Sequence, residues 1–276
     1  MGVTASEVNE LRQKTGAGLM DCKKALTESN GDIEAAIDIL RKKGQKVSAL
    51  RAGKAASEGA AVALTTADGK TGIVIKLSSE TDFVSKNEAF VKFANDIAKL
   101  AIDNQPADLE ALKALPYEGL TIGEKVIEMV GKINENIQLT DYEKVTAPGV
   151  VAYNHAGNKI GVLVALSLPT DEAVASVGRD VAMQIAAMSP VSVDASSVDP
   201  TVIERELAIG REKALAEGKP ENMVDKIAQG NLQKFYKENT LLAQQFVKDG
   251  SKTVDQALKA VNKDLAVTSF KRVALG

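Results

Sequence analysis

Near residue 57 the apolar pattern of this chain changes period, and that change limits the folds open to it more than any other feature. Upstream, apolar residues recur at helical spacing. Downstream they follow a period of two: Ala60-Ala61-Val62-Ala63-Leu64 and Ile73-Val74-Ile75 flank Asp68-Gly69, which reads as a β-hairpin. The upstream part reads as three short helices. Thr4 and Glu7 form a capping-box pattern ahead of Val8 and Leu11, and Gly16-Ala17-Gly18 breaks that helix. Leu19, Cys22, Ala25 and Leu26 line a second helix ended by Asn30-Gly31. Asp32 can cap a third, striped by Ile33, Ala36, Ile37 and Leu40. Three helices in so few residues make a small module with a thin core. The lysine- and alanine-rich stretch 42–56 is expected to be a linker or a solvated helix.

The strand-like run Gly72–Leu77 leads into Ser78-Ser79-Glu80-Thr81-Asp82-Phe83-Val84 and then into a periodic helix near 87–103, with Phe90, Phe93, Ala94, Ile97 and Leu100 on one face. A loop fixed between a buried strand and a packed helix can aim a side chain. Thr81-Asp82-Phe83 joins a carboxylate to a large ring. The plainer alternative is that Thr81 or Asp82 tightens a turn while Phe83 tucks into the core. A short helix near 107–114 follows. Another opens with the capping box Thr121–Glu124 and carries Ile122, Val126, Met129, Val130 and Ile133.

A second sheet is expected from Val150–Tyr153 and Ile160–Leu166, which bracket the turn His155-Ala156-Gly157-Asn158, and a helix at 171–187 follows it. Hairpin and then helices therefore occur twice, as two related α+β halves. Proline opens two further helices, 200–217 and 220–238, whose charged faces suit a projecting arm. A helix near 253–263 and a strand over Ala266–Val273 end the chain. The resulting division is a three-helix partner-binding domain (1–54), a first core subdomain (55–140) and a second (141–276) with a helical-hairpin insertion at about 190–228.

Chemistry is sparse. The single cysteine, Cys22, reads as a small apolar filler, fits a reducing compartment and forms no internal disulfide. The single histidine, His155, sits at a hairpin tip with no partner identified for general-base work. Gly69-Lys70-Thr71 lacks the glycine that a phosphate loop needs five residues earlier, where Leu64 stands. No metal-ligand spacing and no glycine-rich nucleotide fingerprint is found, so no cofactor or metal is expected. No apolar run approaches the roughly 18 residues of a membrane span, and the N-terminus is unlike a secretory signal. Cytoplasmic location is the default. The net charge of −3 argues against nonspecific nucleic-acid binding, although residues 1–54 carry ten basic and seven acidic side chains. These features favour a binding protein over an enzyme. Carboxylates are plentiful enough that a hydrolase or transferase with an acid–base pair stays open as an alternative.

The stretch Leu11-Arg12-Gln13-Lys14-Thr15-Gly16-Ala17-Gly18-Leu19-Met20-Asp21-Cys22-Lys23-Lys24-Ala25-Leu26 resembles the N-terminal signature of the bacterial translation elongation factor Ts family. Thr81-Asp82-Phe83-Val84 in its strand-to-helix setting is similar too. So are Ile160–Val164, Lys234-Phe235-Tyr236 and Ser251-Lys252-Thr253-Val254, in the family's order and across nearly the whole chain. The resemblance implies an α+β fold: an N-terminal three-helix ubiquitin-associated-like domain, a core of two α+β subdomains with antiparallel sheets, and an inserted helical-hairpin arm. It implies guanine-nucleotide exchange on elongation factor Tu, both GDP-bound and nucleotide-free, with no covalent chemistry. No direct nucleic-acid or membrane partner is expected, and the arm is expected to serve a homodimer where one forms.

By the same resemblance, Phe83 wedges into the GTPase domain, with Asp82 and Thr81 beside it, and disturbs its magnesium site and phosphate loop. Further contacts fall on Arg12, Leu19, Met20, Ile133, Asn134, His155 and Val247. The family commonly has Gly where Asn134 stands, which brings close backbone approach there into question. Many members also continue into a C-terminal helix that grips the GTPase, whereas this sequence stops at Gly276, so that contact is expected to be absent or to lie outside it. The main rival is a ubiquitin-like- or peptide-binding scaffold protein.

Overall fold

The computed structural model describes residues 3–276. Its N-terminal module is α1 (Ala5–Thr15), α2 (Leu19–Glu28) and α3 (Ile33–Arg51). The capping box at Thr4 forms as expected, and Asp32 caps α3 by accepting from the Ala35 N–H. Val8, Leu11, Cys22, Ala25, Leu26 and Ala36 close a small core. The stretch expected to be a linker or a solvated helix is largely the continuation of α3, and it is not simply solvated: Gly44 is buried there.

The first half of the core opens with a hairpin, β1 (Glu58–Thr65) and β2 (Thr71–Ser79), and continues through α4 (Asp82–Ser85), α5 (Glu88–Asn104) and α6 (Leu109–Lys113). A two-rung ribbon, β3 (Pro116–Tyr117) with β4 (Leu120–Thr121), then leads into α7 (Ile122–Ile133) and β5 (Gln138–Thr146). β5 lies antiparallel to β2, so the sheet order is β1-β2-β5. This strand runs to Thr146, so the boundary expected at residue 140 falls inside it.

The second half repeats the plan. β6 (Gly149–His155) and β7 (Ile160–Leu166) form a hairpin, and α8 (Glu172–Met188), α9 (Pro200–Ala216) and α10 (Glu221–Asn239) follow. A short ribbon, β8 (Gln245–Phe246) with β9 (Asp249–Thr253), α11 (Val254–Val261) and β10 (Val267–Ala274) complete it. β10 returns beside β7, giving the order β6-β7-β10. In both halves, then, the last strand adds next to the second strand of the hairpin, which is the α+β duplication read from the pattern.

The two sheets pack face to face through small side chains. Ala61, Ala63, Val74, Val145, Val150, Leu163 and Ala165 form that layer. A Cβ on Gly161 would meet Val74 at 2.7 Å, and one on Gly72 would meet Val150 at 2.7 Å, so both glycines are needed for the close approach. α5 and α7 cover the outer face of the first sheet, and α8 and α11 that of the second. The free edge of β1 is closed by the other half. The Ala61 N–H donates to the Asn158 carbonyl (2.7 Å), while the Asn154 side chain accepts from the Ala63 N–H (2.7 Å) and donates to its carbonyl (3.0 Å).

α9 and α10 pair as the helical arm. Its base is stitched by backbone bonds from Val191 to Asn239 and from Leu241 to Ser192, each 2.9 Å, so the returning helix rejoins the body at residue 239, past the expected limit of 228. Among the described residues, no helix is long and apolar enough to cross a membrane.

Candidate partner-binding surface

β2 ends at Ser79, and the next six residues form the presenting turn. The Ser79 hydroxyl donates to the Thr81 carbonyl at 3.1 Å. Thr81 begins the single helical turn α4, yet its side chain does not cap that turn. Its hydroxyl donates to Glu135 Oε1 (2.7 Å) and its N–H to Glu135 Oε2 (3.1 Å). Glu80 does the reverse, accepting from the Asn136 N–H at 2.6 Å, and its carboxylate also receives Arg51 at 3.4 Å from the end of α3. Val84 is the apolar anchor, 9% exposed in the core of the first half. Asn87 stops the turn and caps α5.

Phe83 is left pointing outward at 85% exposure. The alternative in which this ring tucks into the core is overturned, because Val84 fills that role. Asp82 pairs with Lys86 at 2.6 Å, and this hydrogen bond and its charge hold the Asp82 carboxyl below the usual carboxylate range.

Beside Phe83 a groove runs to Ile133, floored by Phe93, Tyr117 and Met129 and edged by Lys132. Tyr117 stacks at a tilt on Phe93 (centroids 5.1 Å apart) and donates to Asp96 at 2.6 Å. Ile133 is the last residue of α7. Asn134 follows in the left-handed conformation (φ 61°) with its N–H on the Val130 carbonyl at 2.8 Å. Asparagine tolerates that conformation better than other residues with side chains. It therefore serves as the C-cap that glycine commonly provides, and the turn is kept.

Arg12, Leu19 and Met20 are all exposed on α1 and α2, while Leu11 and Cys22 face the module's core. The α1–α2 turn lies against the end of α7, since a Cβ on Gly16 would stand 3.0 Å from Lys132 Nζ. Lys132 also pairs with Glu128. It thus links the turn that leads into Leu19 to the helix end that carries Ile133.

His155 is half-buried at the end of β6, with Nδ1 3.0 Å from the Tyr153 hydroxyl. The β6–β7 turn reaches the presenting end of the first sheet. Lys159 lies 4.0 Å from Glu58, and Glu58 is the β1 partner of Ser79. Val247 stands apart. It is exposed on the β8–β9 turn, and its N–H donates to Gln184 Oε1 of α8 at 2.8 Å, on the outer layer of the second half.

Glu80, Glu135, Arg51 and Gln184 were not singled out from sequence. Their partners are backbone groups or lie 29 to 63 residues away, and no spacing rule detects either case. Among the described residues, no group of three or more His, Cys, Asp or Glu is placed to hold a metal.

Comparison with known proteins identifies the family. A family model described as Elongation factor TS matches residues 80–276. Elongation factor Ts of Amoebophilus asiaticus is 54% identical over 276 residues, covering 100% of both chains. That of Cytophaga hutchinsonii is 52% identical over 274 residues, covering 99% of each. Elongation factor Ts of Syntrophotalea carbinolica is 46% identical, covering 100% of this chain and 94% of that one. With a family model spanning most of its length and such relatives along all of it, the chain belongs to the elongation factor Ts family.

Proposed function

We propose that this protein is a guanine-nucleotide exchange factor that binds GDP-bound elongation factor Tu and releases the nucleotide by inserting Asp82-Phe83 beside the magnesium and phosphate site. One observation carries this reading above the others: Phe83 is 85% exposed on a turn clamped just before it at Glu80 and Thr81 and anchored just after it by buried Val84. An exposed ring on a rigid support is disfavoured in water and suited to a pocket on a partner.

The energetics call for a spread interface. Accelerating release by about four decades means lowering the barrier by roughly 5–6 kcal/mol. One buried aromatic contributes about 1.5–3 kcal/mol. Arg12, Leu19 and Met20 on the N-terminal module would supply part of the remainder, with Ile133 and Asn134 at the end of α7. His155 and Val247 would add contacts from the second half.

The coupling is reciprocal: a protein that weakens GDP binding is itself bound less tightly when GDP is present. No bond to substrate forms or breaks in this cycle, so the protein acts as an exchange factor and not as a chemical catalyst. A translation factor of this kind works in the cytoplasm. Residues 1–54 would tether the partner, the two core halves would carry out the displacement, and the arm would serve self-association.

The test is release of a fluorescent GDP analogue from purified elongation factor Tu, with and without this protein. Faster release into excess unlabelled GDP, with the complex between the two proteins itself weakened by GDP, supports the reading. No acceleration, together with capture of a ubiquitin-like partner, would favour the scaffold alternative.

A further inference from the structure

A ring on a single helical turn has little local reason to hold one direction. Four residues make too few helical hydrogen bonds to persist alone. Thr81 occupies the N-cap position, where its hydroxyl would ordinarily bond the turn's own N–H groups, but it makes no such bond. That hydroxyl and the Thr81 N–H are both taken by the Glu135 carboxylate, at 2.7 and 3.1 Å. Glu135 is held in turn. The chain leaves α7 through left-handed Asn134, and the residue after Glu135, Asn136, donates its N–H to Glu80 at 2.6 Å. The Asn136 side chain also donates to the Lys54 carbonyl at 2.6 Å. Segments 80–81 and 135–136 therefore lock each other.

We infer that Glu135 is the positioning residue for Phe83: it withholds Thr81 from capping α4 and so fixes the direction in which the ring leaves the body. This inference rests on the exchange reading above for its functional consequence. Without the carboxylate, the Thr81 hydroxyl is free to turn back onto α4, and Val84 is the remaining apolar anchor of the turn. Glu135 is half-buried behind the presenting turn and acts on the ring through Thr81.

The clamp can be read without any partner. The chain contains no tryptophan, so Phe83→Trp introduces a single indole at the working position. Time-resolved anisotropy is expected to show a restricted indole, which gains a fast, wide-angle component on adding Glu135→Ala. Glu135→Gln keeps an acceptor for the Thr81 N–H and a donor for its oxygen, so it should stay restricted.

In GDP release with the native Phe83, Glu135→Ala should lower the maximal rate about 10- to 100-fold, as expected for lost charge-assisted hydrogen bonds. The half-saturating concentration should move by less than about threefold. Glu135→Gln should recover most of the rate, and Glu135→Ala should cost nothing further in a Phe83→Ala background. Unchanged indole motion in Glu135→Ala would overturn the inference. So would losses that add to those of Phe83→Ala, or a lowered melting temperature that accounts for the whole effect. If the native protein fails to accelerate release at all, the exchange reading is what fails, and the anisotropy still decides whether Glu135 holds the turn.

Discussion

A Cβ on Gly131 would lie 2.8 Å from the Cα of Gly44, so α3 of the N-terminal module and α7 of the core cross with their backbones in contact. Two further ties bind the module's exit to the core, the Arg51–Glu80 pair and the bond from Asn136 to the Lys54 carbonyl. The three-helix module is therefore seated on the element that carries Ile133 and does not hang from a free linker.

Gly131→Val should push α3 off that crossing. Overpacking of a close contact costs about 1–3 kcal/mol. We expect a lower melting temperature, faster amide exchange across α1–α3, and weaker partner binding with the maximal release rate largely kept. Unchanged amide protection in the module would show that the glycine crossing does not hold it.

How much of this was legible in the sequence can be judged from particular elements. The capping boxes at Thr4 and Thr121 and the Asp68-Gly69 hairpin were readable because each is set by neighbours within a few residues. β5 was missed because it is an edge strand whose polar residues, Thr140 to Lys144, mask its alternation. The α3 extension reads as a linker or a solvated helix because the value of Gly44 lies in Gly131, far along the chain. At the site, the residues alone leave Phe83 open between an aimed side chain and a core ring, and the family resemblance is what favours the wedge. The sequence was silent on Glu80 and Glu135, whose acceptor roles depend on backbone N–H groups that no side-chain pattern records.

The arm offers a separate test. Gly210 lies against Ala228 and Arg211 pairs with Asp225 at 2.7 Å, so the two helices cover each other rung by rung. Neither contains a residue of the proposed GTPase-contacting set. Shortening both at about the same level, by joining Arg205 to Gln233 through a short Gly/Ser linker, should leave GDP release largely intact while changing self-association. A folded protein of this kind with no exchange activity would show that the arm takes part in displacement.

Tyr117 gives a pH test of the groove floor. Burial and its hydrogen bond to Asp96 raise its pKa above the ordinary tyrosine value. The folded state therefore holds the phenol proton more tightly than the unfolded state. The stabilisation is complete below about pH 10, the unfolded value, and is lost as pH rises toward the higher folded value. Melting temperatures measured at neutral pH and at about pH 11 should fall further for the native protein than for Tyr117→Phe. Equal falls would mean that the phenol–carboxylate bond contributes nothing to the fold.

The central claim is that Phe83 acts on a partner and not on its own fold. Phe83→Ala is the direct measurement, with thermal melts and release of a fluorescent GDP analogue from elongation factor Tu taken on the same samples. Asp82→Ala provides the smaller comparison, because an exposed polar contact contributes less than a buried ring. Because the ring is 85% exposed, an unchanged melting temperature is expected for Phe83→Ala. Exchange should fall by about 30- to 1000-fold, the equivalent of roughly 2–4 kcal/mol for a truncated hot spot. A loss of about 3–5 kcal/mol in stability, as for a buried phenylalanine, or a normal release rate from a well-folded variant, would contradict it.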